Sequence, residues 1–120
     1  MSGGERIPHW DRCAAWLEAA LAHAGEFDLQ MVFERVSRGD AVLWPGERAA
    51  VVTEVAEGEL HAWLAAGDLA EIVAMTPGLE AWGRAAGCSA ATLRGRPGWA
   101  RVLGPHGYAP RGGGELRKVL

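Results

Sequence analysis

At 120 residues the chain is long enough for one domain with one core and too short for two. Its balance of 49% hydrophobic and 22% charged residues is globular, which excludes a disordered or fibrous chain, and no apolar run approaches the ~20 residues that span a bilayer. The net charge of −3 hides an asymmetry: residues 1–93 hold six basic against fourteen acidic side chains, whereas residues 94–120 hold six basic against Glu115 alone. A basic end on an acidic body suggests an anionic ligand, nucleic acid or the acidic face of a partner, or else an edge strand protected by cations.

Residues 1–7 read as a flexible arm without the apolar stretch of a signal peptide, so a single domain over 1–120 that stays inside the cell is expected. From Pro8 to Ala24, Trp10, Cys13, Leu17 and Leu21 recur at helical spacing, and Gly25 stops the first helix. Asp28 caps a second, with Leu29, Val32, Phe33 and Val36 on one face and Gly39 at its end. AVLWPGERAAVVTEV predicts two strands about a turn at Pro45–Gly46, and Glu57–Gly58 turns into a third, ELHAWLAAG, ending at Gly67. Links this short predict an antiparallel meander.

Asp68 with Glu71 three residues on forms a capping-box pattern. It opens a helix that Pro77 either kinks or divides, the second piece running from Pro77 to Ala86 with Leu79, Trp82 and Ala86 buried. CSAATLRG reads as a strand, RPGWARVL as a helix of about two turns with Pro97 near its first position, and YAPR and ELRKVL as two last short strands. The order α-α-β-β-β-α-β-α-β, with a possible extra strand, predicts a mixed α+β fold. Its sheet is mostly antiparallel, with one right-handed parallel β-α-β crossover.

Cys13 and Cys88 stand in no metal or redox spacing and are expected to be buried thiols, and the scattered His9, His23, His61 and His106 predict no metal site. Most of the six tryptophans fall at inward positions, but Trp16 lies off its helix's apolar stripe and Trp44 at a turn, so both are candidate exposed anchors for a partner. No Walker loop, dinucleotide fingerprint, Ser-His-Asp set or spaced pair of carboxylates is present.

This order, with AAGCSAATLRG and ARVLGPHGY at its C-terminal end, resembles the GNAT acyltransferase superfamily over roughly residues 8–120. There two helices precede an antiparallel meander, a central helix follows, and a short helix links the last strands. LWPGERAAVVTE, LRGRPGWARVL and the terminal LRKVL are more narrowly similar to small GNAT-like proteins of tailed phages and prophages, which include virion and assembly components.

The resemblance carries two departures. GNAT enzymes hold the acyl-CoA pyrophosphate on backbone amides of an Arg/Gln-x-x-Gly-x-Gly/Ala loop at the central helix start, aided by the positive end of the helix dipole. The equivalent AWLAAGDLAEI has one glycine, Gly67, no arginine or glutamine, and Asp68 where the phosphates belong. Second, the tyrosine that often protonates the departing thiolate aligns with Gly104, while Tyr108 falls on the aromatic position that opens the next strand.

The resemblance and its gaps therefore imply a phage-type GNAT-fold protein acting as a structural, virion or assembly component. It would have no cofactor, and its partners would be other protein subunits, met in the host cytoplasm or a virion. Trp16, Trp44, Arg96 and Arg101 are its candidate contacts. The alternative is a divergent acetyl-CoA-dependent N-acyltransferase. CoA would then lie on Arg94, Arg96 and Arg101, with His61, Glu54 or the neighbouring Glu59 as base and Tyr108 as a substitute acid. A nucleic-acid module is disfavoured by the overall negative charge and the absence of interleaved aromatics in the basic third.

Overall fold

The computed structural model describes residues 7–24, 28–94 and 98–120. The expected arm lies outside these residues except for Ile7, as do Arg96 and Pro97. Two helices, α1 (Trp10–Ala24) and α2 (Leu29–Ser37), precede strands β1 (Val42–Pro45), β2 (Ala49–Ala56) and β3 (Glu59–Gly67). Helix α3 (Leu69–Ala85) leads to β4 (Ala90–Arg94), a five-residue α4 (Trp99–Leu103) with a 3₁₀ turn at Gly104–His106, and then β5 (Ala109–Gly112) and β6 (Glu115–Val119). The element order is the one expected.

The six strands form one sheet in the order β1-β2-β3-β4-β6-β5. Every pairing is antiparallel except β3 with β4. The possible extra strand is therefore real, and it lies inside the sheet: β6 fits between β4 and β5.

Each sheet face carries its own core. Cys13, Leu17 and Leu21 of α1 and Val32 of α2 pack on Ala50, Val52 and Leu64. On the other face Ile72 and Leu79 of α3 and Leu103 of α4 pack on Val51, Leu60, Leu93 and Leu116. Strand β2 is buried on both faces from Ala49 to Thr53, which explains why AAVVT reads as a continuous small and β-branched run instead of an alternating one. Cys13 and Cys88 are buried free thiols, and burial pushes the Cys13 thiol above its ordinary pKa.

Three expectations need correction. Helix α3 is continuous through Pro77, which sits on its exposed side, so of the two expected outcomes the division into two helices does not occur. Proline lacks the N–H that would bond the carbonyl four residues back. The turn beside it is held by the Thr76 hydroxyl, which donates to the Ile72 carbonyl at 3.0 Å. Next, Trp82 and Ala86 are exposed, while Ile72, Thr76, Leu79, Glu80 and Gly83 make the inward face. Trp82 instead stacks edge-on against Trp44 with ring centroids 5.9 Å apart. Finally, α4 is shorter than two α-helical turns and starts after Gly98, whose φ of 101° is left-handed.

The charge asymmetry is resolved within the chain. Arg117 and Arg111 bind Glu59 at 3.0 and 3.4 Å, Arg111 also reaches Glu115 at 3.5 Å, and Lys118 binds Glu80 at 2.9 Å. The basic third is thus fastened to acids of β3 and α3. Among its described residues only Arg94 and Arg101 lack an ion pair.

Candidate functional site

Strands β3 and β4 run side by side only from Glu59–Ala90 to Ala62–Leu93. Strand β3 continues to Gly67, and its register with β2 skips a residue between Val52 and Thr53, leaving Trp63 as the extra residue on β3. Strand β4 ends at Arg94, so the last residues of β3 run on without it and leave an opening beside them. The start of α3 and the short α4 stand at this opening, the place where ligands bind in sheets with parallel strands.

Beneath the opening lies a cavity of about 30 Å³, lined by side chains such as Ala62, Leu79, Leu93, Trp99, Leu103 and Tyr108. At ~10–15 Å³ per water that is room for two or three waters at most. Its hydroxyls are already committed. Tyr108 donates to Glu80 Oε2 at 2.9 Å, Thr53 accepts from the Trp44 indole at 2.9 Å, and Thr76 is bonded to Ile72. Among the described residues the interior here is a packed, largely apolar core.

The start of α3 is filled by the chain itself. The Asp68 carboxylate accepts from the Glu71 N–H at 3.3 Å, and the Asp68 N–H donates to the Arg48 carbonyl at 2.9 Å. The Glu71 carboxylate does not close the capping box. It crosses to the β1–β2 turn and accepts from the N–H groups of Arg48 at 2.7 Å and Glu47 at 3.2 Å. Gly67, with φ of 102°, presses against the Arg48 carbonyl so closely that a Cβ would overlap it. From the other side Arg12 of α1 donates from Nε and a terminal nitrogen to the Gly46 carbonyl, at 3.1 and 2.8 Å. Around the start of α3 the chain thus places two carboxylates and a tightly packed turn.

The sequence-nominated base candidates are brought together on one face. Glu54 and His61 are register partners, His61 pairs with Thr92, and Thr92 with Arg117, so these side chains form a row. The His61 Nδ1 is 2.7 Å from the Thr92 hydroxyl, Glu54 is bound by Arg35 of α2 at 3.0 Å, and Glu59 is held by Arg117 and Arg111. The hydrogen bond from Arg117, opposed in part by desolvation, keeps the Glu59 carboxyl below its usual pKa.

Tyr108 lies on the opposite face with Leu116 and Leu103. Burial, and then the Glu80 carboxylate it donates to, push its phenol well above the ordinary range. The structure does not bring the acid and base candidates together. Arg94 ends β4 and Arg101 sits on α4, both exposed near the opening, while Arg96 is outside the described residues. Trp16 and Trp44 are half-buried against the two cores, not exposed.

Sequence reasoning missed Glu80. It is 6% exposed, bonded by Tyr108 and Lys118 and 3.9 Å from Arg84, and it pins β6 and the start of β5 to α3. Its signal was phase: Glu80 falls four and eight residues after Thr76 and Ile72, on the inward stripe. Among the described residues no three His, Cys, Asp or Glu side chains converge to hold a metal ion, and no helix is long and apolar enough to cross a membrane.

No protein-family model matches the chain, and none of the curated proteins does. Solved structures do. The PaiA N-acetyltransferase of Thermoplasma acidophilum, solved with coenzyme A, superposes with a TM-score of 0.54 at 8% identity, covering 87% of each chain. A GCN5-related N-acetyltransferase of Sphaerobacter thermophilus matches at 20% identity over 88% of this chain and 42% of its own, with a TM-score of 0.41. The α+β architecture is therefore the GNAT fold expected from the sequence.

Proposed function

We propose that this GNAT-fold domain does not carry out ordinary acetyl transfer and works as a binding or assembly component. The observation that carries this reading is the filled start of α3. Asp68 takes the Glu71 amide of the first turn and the Glu71 carboxylate the facing turn, so a pyrophosphate would meet two negative charges where the fold needs free N–H groups. The committed Tyr108 hydroxyl, buried on the face opposite His61 and Glu54, supports the same reading. The narrower assignment to a phage or prophage virion rests on the sequence resemblance alone.

One observation favours the alternative, a divergent acyl-CoA-dependent N-acyltransferase. Arg94 and Arg101 stand unpaired near the strand opening, where they would meet the phosphates of a CoA held away from α3. Calorimetric titration of the purified chain with acetyl-CoA separates the two. The proposal expects no binding at millimolar ligand. Micromolar binding that is lost in Arg94→Ala or Arg101→Ala would overturn it in favour of the transferase.

A further inference from the structure

The outward face of α3 carries no charge between Glu71 and Arg84. Its exposed residues there are Ala74, Pro77, Gly78, Ala81 and Trp82, and Glu80 points inward to Tyr108 and Lys118. A helix that is apolar on all sides is ordinarily covered on all sides. One side of α3 covers the sheet, and the other is bare. Trp82, 37% exposed, is held edge-on by Trp44 and so is a rigid aromatic at the flank of this strip.

We propose that this face is where two copies of the chain pack, α3 against α3, antiparallel about a twofold axis at Gly78. Three features fit that occupant. First, nothing lies within 4 Å of where a Gly78 Cβ would stand, so two backbones can approach closely at the crossing. Second, a twofold contact must be self-complementary, and the geometry meets this: pairing about residue 78 sets position 82 against position 74. The large Trp82 of each copy then meets the small Ala74 of the other. Third, the helix ends differ in charge, with Asp68 and Glu71 at the N-terminal end and the half-exposed Arg84 at the C-terminal end. The antiparallel arrangement brings Arg84 of each copy to the acidic end of the other, whereas a parallel one would juxtapose like charges.

At ~1.5 Å per residue the 17-residue helix offers a strip about 25 Å long. The uncharged part between Glu71 and Arg84 is about 18 Å of that and, at a helix width of ~10 Å, covers on the order of 200 Å². This is well below the ~800 Å² per partner of a standard interface, so the dimer is weak and concentration-dependent. It does not depend on whether CoA binds.

Sedimentation of the full chain from roughly 10 μM to 1 mM tests it, the range in which a weak contact fills. The weight-average mass should rise from the 12.8 kDa monomer toward twice that value. The Gly78→Arg variant puts a charge at the crossing and exchanges glycine for a better helix former. It should keep its circular dichroism and melting temperature while weakening association at least tenfold. Amide shifts that grow with concentration should centre on Ala74, Gly78 and Ala81. A monomer throughout the range overturns the proposal, as does a dimer unaffected by Gly78→Arg or one whose shifts centre on another element.

Discussion

Replacing Glu71 by alanine should destabilise the domain through a contact that no local sequence rule anticipates. The carboxylate accepts two backbone N–H bonds from the β1–β2 turn, at 2.7 and 3.2 Å. Hydrogen bonds to charged groups are worth about 1.5–3 kcal/mol each when shielded. Glu47 and Arg48 are exposed, so their freed N–H groups regain water, and the loss falls to about 1.5–2.5 kcal/mol in total. For a domain of this size that lowers the melting temperature by roughly 5–10 °C.

Urea denaturation followed by circular dichroism measures the change, and the slope with denaturant should stay constant. Glu71→Gln keeps one good acceptor and should cost about half as much. Gly46→Ala supplies the decisive companion, because its Cβ would occupy the place of the Glu71 carboxylate. Each substitution should break the same contact, so the double variant should lose clearly less than the sum of the two. The reasoning fails if Glu71→Ala lies within about 0.5 kcal/mol of the parent, the scatter of ordinary surface changes, or if the pair is additive.

Two further outcomes follow from the same packing. Gly67→Ala should destabilise by about 2–4 kcal/mol in the same denaturation assay, because the left-handed φ costs ~1–2 kcal/mol and overlap with the Arg48 carbonyl adds an overpacking cost. Tyr108 is the single tyrosine, and its folded pKa is raised. The folded state therefore keeps the phenol proton that the unfolded chain gives up near pH 10. Its stabilising effect is complete below that pH, and above it stability should fall by about 1.4 kcal/mol per pH unit. Phenolate absorbance should accordingly appear only as the chain unfolds, and Tyr108→Phe should remove that part of the alkaline slope.

Much of the architecture was legible because it is written locally. Asp28 and Asp68 both cap helices through their side chains, the turns at Pro45–Gly46 and Glu57–Gly58 set the meander, and β3-α3-β4 gives the single parallel pair. What escaped depends on partners distant in sequence. Glu71 looked like half of a capping box, yet the Asp68 N–H it would have served is already bonded to Arg48, and the carboxylate goes to the turn beyond.

Trp82 was placed inward by spacing, but the residues of α3 that pack on the sheet at this level are Leu79 and Gly83, and Trp44 at the sheet edge gives its ring a place to lie outside. The position of β6 inside the sheet is equally non-local. It shows in sequence only as an excess of cations, which the structure accounts for through Glu59 and Glu80. At the candidate site the single glycine and the lack of arginine in AWLAAGDLAEI were readable, whereas the packing of the β1–β2 turn against Glu71 was not.

Whether the start of α3 is closed to a phosphate decides between a binding component and a transferase. Backbone amide spectra of the chain, recorded while CoA is added to millimolar concentration, test this directly. The N–H resonances of Glu47, Arg48, Leu69, Ala70 and Glu71 should stay in place. A saturable shift centred on Leu69 to Glu71 would show phosphate entering the helix start past Asp68 and Glu71, and would contradict the account.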